Sequence, residues 1–133
     1  HRTVCEKIGY FDENFFMYCE DIDFCRRAIR SGIKIWILPF WRVYHHSSMS
    51  SKGGYDDPRI NRLNRRGWMI LELKNSRRSF SRALFSLIRR NSRVLFGALT
   101  RLDMKSSRDC ISDFGWLMAN YSKIKSARKR DIF

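Results

Sequence analysis

Three carboxylates, Glu20, Asp21 and Asp23, fall within four residues of one another in the run YCEDIDFCRR. Apolar residues begin to recur at helical spacing just there. Asp12 and Glu13 bring the number of carboxylates between Gly9 and Arg27 to five, set among the aromatics Tyr10, Phe11, Phe15, Phe16, Tyr18 and Phe24. Aromatic side chains favour burial, and carboxylates resist it unless they are paired. A sequence that forces the two together describes either a poorly packed surface or a site. An anion is favoured at the start of a helix. A carboxylate held there can accept a proton from an attacking hydroxyl.

The acids are not equivalent. Asp23 has Arg26 and Arg27 three and four residues on, so an ordinary helix salt bridge accounts for it. Asp21 has Phe24 and Cys25 at those positions and finds no local cation. It can be an N-cap or a catalytic base, and the sequence leaves both open. His45 and His46 follow an apolar run. A neutral imidazole can ligate a divalent cation, with carboxylates completing the shell. If the backbone is extended, adjacent side chains point to opposite faces, so at most one histidine joins a site. The plainer alternative is two exposed loop histidines. Phe15, Phe16, Trp36 and Trp41 are expected in the core rather than as sugar platforms.

The elements that must hold these residues follow from pattern. Arg2 to Ile8 reads as one or two helical turns stopped by Gly9. Phe11 to Tyr18 has no clean period and reads as an ordered loop. From Asp21 a helix runs to Ser31-Gly32, with Ile22, Cys25, Ala28 and Ile29 on one face. IKIWILP (33–39) is a short β-branched apolar run, expected to be a buried strand stopped by Pro39, and residues 41–44 a second short strand. The small-residue loop 47–58 is the expected boundary. Beyond it, helices are predicted over roughly 58–75, 80–102 and 107–127. The apolar side of the first carries Ile60, Leu63, Trp68 and Leu71. The second carries a stripe of Phe80, Leu84, Leu87, Ile88, Leu95, Leu99 and Leu102. Arginines, among them Arg89, Arg90 and Arg93, flank that stripe.

Charge divides the chain in the same place. The formal net charge is +14 over 133 residues. Residues 1–54 hold eight Lys/Arg against six Asp/Glu, and residues 55–133 hold nineteen against seven. The four cysteines include no Cys-x-x-Cys pair, so a zinc cluster is not expected, and they read as reduced and mostly buried. No run is long and apolar enough for a membrane span.

The run GYFDENFFMYCEDIDFCRRAIRSGIKIWILPFWRVYHHSSMS resembles the C-terminal half of the catalytic domain of family 2 glycosyltransferases, the rhamnosyltransferase-like GT-A group. The matching positions are Gly9, Phe11-Asp12-Glu13, Phe15-Phe16, Glu20-Asp21, Asp23, Arg26 or Arg27, Gly32, Pro39 and Val43-Tyr44-His45. Ser48 stands where the family often has Gly. The resemblance covers about residues 2–52 and implies an α/β fold: residues 1–53 as the C-terminal part of a GT-A domain, followed by a mostly α-helical basic extension over 54–133. It implies Asp21 as the base that deprotonates the acceptor, Glu20 as an acceptor-placing residue and His45 as a contact to the metal and diphosphate. The implied reaction moves a sugar from a nucleotide-diphosphate donor, with inversion, to a polysaccharide or lipid-linked glycan. Mg²⁺ or Mn²⁺ would stabilise the leaving diphosphate. The family's nucleotide-binding half precedes this region, so the chain is expected to be a fragment, inactive alone.

The basic second part leaves three readings. Its charge suits nucleic acid, but no helix-turn-helix, RNP-type or zinc signature accompanies it. An apolar stripe flanked by arginine suits an anionic membrane surface, with Arg89, Arg90 and Arg93 at the headgroups. That places the protein in the cytoplasm, peripheral at the inner face of the cell membrane. The third reading is a solvated basic face packed on the catalytic part.

Overall fold

The computed structural model describes residues 1–44 and 57–130. Five helices are formed: α1 (Arg2–Ile8), α2 (Glu20–Arg30), α3 (Pro58–Asn75), α4 (Phe80–Thr100) and α5 (Met104–Arg130). The described residues contain no strand, so the architecture is all-α and the expected α/β, GT-A arrangement is not what this chain adopts. Residues 33–39 and 41–44 have the composition of strands, but a strand needs a neighbour to take up its backbone N–H and C=O groups. No described segment pairs with them. Ile37, Phe40 and Tyr44 are therefore almost fully exposed, and so for the most part are Trp36 and Trp41. Of the four aromatics expected inside, Phe15 is buried, whereas Phe16, Trp36 and Trp41 are not.

The helix ends follow local chemistry. Gly9, at φ 81, stops α1. Gly32, at φ 74, closes α2, where the Gly32 N–H donates to the Ile29 carbonyl (3.1 Å) and the Ile33 N–H to the Ala28 carbonyl (3.0 Å). Glycine adopts this left-handed backbone at no steric cost. Asp57 caps α3 by accepting from the Arg59 N–H at 2.8 Å, with Pro58 in the first turn. Ser79 caps α4, and the Asp103 carboxylate accepts from the Ser106 N–H at the start of α5.

Helices α3, α4 and α5 pack on one another, α2 packs on α3, and α1 on α2. Short links at 76–79 and 101–103 turn the chain back on itself, as in an up-and-down bundle. The core joins Phe15 and Cys19 from the first part to Met69, Ile70, Leu71 and Leu73 of α3, Ala83 and Leu87 of α4, and Leu117 and Ile124 of α5. The predicted stripe on α4 is divided: Phe80, Leu84 and Leu87 pack inward, while Leu99 and Leu102 are exposed.

Ion pairs tie the bundle together. The buried Asp113 of α5 accepts from Arg65 Nε (2.6 Å) and Arg66 Nε (3.1 Å) of α3. Arg66 also lies over the Trp116 ring, 5.1 Å from its centroid. The last turn of α3 leaves carbonyls without helical partners. Arg128 of α5 donates to the Leu73 carbonyl at 2.7 Å and to the Ser76 carbonyl at 3.1 Å, and Arg30 of α2 donates to the Asn75 carbonyl. These cations sit at the negative end of the α3 dipole.

One glycine determines how closely the acidic turn approaches this scaffold. A Cβ at Gly67 would stand 3.0 Å from the Tyr18 carbonyl oxygen and 3.3 Å from Cys19 Sγ. Gly67→Val is expected to lower stability by about 1–3 kcal/mol, the usual range for overpacking. Urea unfolding measures it, and unchanged stability would mean that the contact is not tight.

Candidate acidic site

The two carboxylates that looked alike in the sequence have opposite environments. Asp23 is completely buried. Its Oδ2 accepts from Arg27 Nε, one turn along α2, and from Lys74 Nζ of α3, both at 2.9 Å. Its Oδ1 accepts from Asn75 Nδ2 at 2.9 Å. Lys74 Nζ also lies 2.6 Å from Asp12 Oδ2. Two carboxylates and two cations thus meet and offset one another, the condition under which buried charge is tolerated.

The same cluster fixes the preceding loop. Arg27 Nη1 donates to the Ile8 carbonyl and, at 3.2 Å, to the Gly9 carbonyl, and Nη2 donates to the Tyr10 carbonyl at 2.6 Å. Asp12 Oδ1 accepts from the Asn14 N–H at 2.9 Å and from Asn14 Nδ2 at 2.6 Å, folding the DEN run into a turn. Burial pushes the Asp12 carboxyl up, but the hydrogen bonds and charge of Lys74 and the Asn14 donors outweigh it, so its pKa lies below the ordinary carboxylate value. Phe15 follows into the core, 5.7 Å beneath the Lys74 ammonium.

Glu20 and Asp21 are presented at the edge of this scaffold. Tyr18 and Cys19 both have positive φ, 69 and 70, which is uncommon for residues with a Cβ. Cys19 occupies the N-cap position without a side-chain cap, and Glu20 and Asp21 form the first turn of α2. Asp21 is therefore not the N-cap. It is exposed, and one of its oxygens accepts from the Ile22 N–H at 2.8 Å. Glu20 is half-buried, and its Oε2 is enclosed without a hydrogen-bond partner. The positive end of the α2 dipole faces both. Burial, followed by the charges of Asp21 and Glu20, pushes the Cys19 thiol up to about 11, so it stays protonated and is unsuited to nucleophilic work. All four cysteines are free, with Cys19 buried, Cys25 exposed and the other two half-buried.

His45 lies outside the described residues, as does His46. Among the described residues no three or more His, Cys, Asp or Glu side chains gather as a metal site. Glu20 and Asp21 alone do not make up a coordination shell. The three arginines expected at a membrane are all exposed, and Arg90 also pairs with Glu72 of α3 at 2.7 Å. Lys74 and Asn75, which decide the environment of Asp23, were not singled out from the sequence. A signal was there: Lys74 follows Leu71 by three residues and so shares its buried face.

A 41-residue stretch, 31% of this chain, is similar to the rhamnosyltransferase WbbL of Escherichia coli strain K12, with 37% identity. It corresponds to 16% of that protein. A 34-residue stretch, 26% of the chain, is 58% identical to the low-salt glycan biosynthesis hexosyltransferase Agl10 of Haloferax volcanii and corresponds to 11% of that protein. The chain thus spans only a small part of the length of these curated relatives. No protein-family model and no solved structure matches it. The similarity ties a short part of the chain to glycosyltransferases.

The environments predict a sharp contrast. Asp23→Asn leaves Arg27 and Lys74 buried with too little negative charge and is expected to cost about 3–5 kcal/mol of stability. Asp21→Asn is expected to change it by less than about 0.5 kcal/mol, as at other exposed positions. Equal losses in urea unfolding would refute the distinction. Acid should act through Asp12. Its folded pKa is depressed, so its contribution is complete above the unfolded value of 3.8 and is lost as pH falls through the lower folded one. Thermal melts of the parent and Asp12→Asn should therefore converge only below about pH 4. Convergence near neutral pH would contradict the Lys74–Asp12 link.

Proposed function

We propose that this chain is part of an inverting, rhamnosyltransferase-like glycosyltransferase of family 2, in which Asp21 is the general base. The observation that carries the assignment of residues is the asymmetry of the acidic turn. Asp23 is committed to two buried cations, whereas Asp21 reaches solvent and is paired to no cation among the described residues. The similarity to two glycosyltransferases supplies the reaction class.

In the proposed reaction the donor is a nucleotide-diphosphate sugar and the acceptor a hydroxyl of a polysaccharide or lipid-linked glycan. The acceptor oxygen forms a bond to the anomeric carbon from the face opposite the diphosphate. The bond from that carbon to the diphosphate oxygen breaks, and its electron pair leaves with the nucleotide diphosphate. The hydroxyl proton passes to the Asp21 carboxylate as the oxygen attacks. Glu20 lies one residue before the base and is half-buried beside it, and its carboxylate is assigned to placing the acceptor. The rigid cluster behind the turn keeps the base in place, which matters because small misplacements of a catalytic group are costly. A divalent cation at the diphosphate is part of the proposal only as the resemblance implies it. The described residues do not assemble its site, and no step above depends on it.

The test is made in the complete enzyme that contains this segment. Asp21→Asn is expected to lower the transfer rate about 10²–10⁴-fold, the usual loss for a general base, with donor binding and the melting temperature retained. Glu20→Gln is expected to act mainly on KM for the acceptor. A variant Asp21→Asn that keeps most of the parent's rate would eliminate the base assignment.

A further inference from the structure

The outward face of α4 is not used by the bundle. Phe85, Arg89, Ser92 and Phe96 follow one another at four-, three- and four-residue spacing, which places them on a single stripe. That stripe lies opposite the inward side chains of Phe80, Leu84 and Leu87. Phe85 and Phe96 are 68% and 70% exposed, far more than a packed helix requires of its aromatics. Both line one shallow groove with Ile88, Arg89, Ser92 and Arg93. A second groove continues it toward the start of the helix, through Arg78, Ser81, Arg82, Phe85, Ser86 and Arg89. Exposed Leu99, Leu102 and Met104 extend the apolar surface past the other end.

Charge selects the occupant. Helix α4 contains no Asp or Glu, and Arg82, Arg89 and Arg93 border the aromatics. Arginine stems can lie along apolar surface while the guanidinium stays among charged headgroups. Phenylalanines between such arginines have the pattern of a helix lying in a membrane interface. No described helix is long and apolar enough to cross a membrane, which fits contact from the side rather than insertion.

We propose that the outer face of α4, with Phe85 and Phe96 as apolar anchors and Arg82, Arg89 and Arg93 around them, docks on an anionic lipid surface. Arg90 is excluded from this face by its pairing with Glu72. The stripe of Phe80, Leu84 and Leu87 is likewise excluded, because it is core. The proposal does not rest on glycosyl transfer: vesicle binding requires neither donor nor acceptor, so either reading can fail alone.

The experiment is cosedimentation of the full chain with vesicles of equimolar phosphatidylglycerol and phosphatidylcholine, or of phosphatidylcholine alone. Binding to the anionic vesicles is expected, weakening with added salt, with little binding to the neutral ones. Arg89→Gln with Arg93→Gln should weaken it about thirtyfold, from the usual contribution of a basic residue at an anionic surface. Phe85→Ser with Phe96→Ser should weaken it at least tenfold, on the order expected for two aromatics leaving an apolar phase. Arg90→Gln should have much less effect than the Arg89/Arg93 pair. All these side chains lie outside the core, and circular dichroism checks that the fold is kept. Equal binding to both vesicles overturns the proposal. So does unchanged binding in the Phe85/Phe96 variant, or stronger binding to duplex DNA than to anionic vesicles at the same salt.

Discussion

Everything placed around the acidic turn depends on neutralising one buried carboxylate. Asp23 has no access to water, and an unpaired charge there would be prohibitive. Its partners come from two helices: Arg27 from α2, and Lys74 with Asn75 from the last turn of α3. Satisfying it therefore requires α2 to dock at one particular height on α3. Lys74 carries the constraint on to Asp12, and Arg27 carries it to the carbonyls of residues 8–10. A loop with no periodicity is thus held by charge-assisted hydrogen bonds rather than by secondary structure. The cost is paired desolvation of four ions. What is gained is a defined position, because a shifted register would leave a buried charge without its partner.

This constraint separates roles that the sequence presents as a cluster. Asp23 is consumed by the scaffold. Glu20 and Asp21 stand at the open end of the same helix, on a turn whose two positive-φ residues fit against Gly67. Helix α4 follows different physics. It buries one stripe in the bundle and leaves arginine and phenylalanine outside. The proposed chemistry and the proposed lipid contact therefore use different helices, joined through the shared core.

Helical periodicity was readable along the chain. Gly9, Ser31-Gly32 and Pro58 marked ends that the structure has, because caps and left-handed glycines act locally. The Asp23–Arg27 pair was legible for the same reason, being one turn apart. Residues 33–44 were not, because their β-branched and aromatic composition signals a strand only if a partner exists. Pairing is a property of the whole fold, and no described residue supplies it. Apolar spacing alone could not tell Leu87, which is buried, from Leu102, which lies past the end of α4. Lys74 was overlooked because a lysine ordinarily marks a solvent face. Its burial follows from two carboxylates, Asp23 and Asp12, that are distant in sequence.

The most direct test of this account is a double-mutant cycle between Asp23 and Lys74, measured by urea unfolding of Asp23→Asn, Lys74→Met and the pair. Residues sharing a buried ion-pair network are expected to couple by about 1–3 kcal/mol, the double variant losing much less than the two single losses added together. Losses that add to within about 0.5 kcal/mol would contradict it, since the two side chains would then not depend on each other.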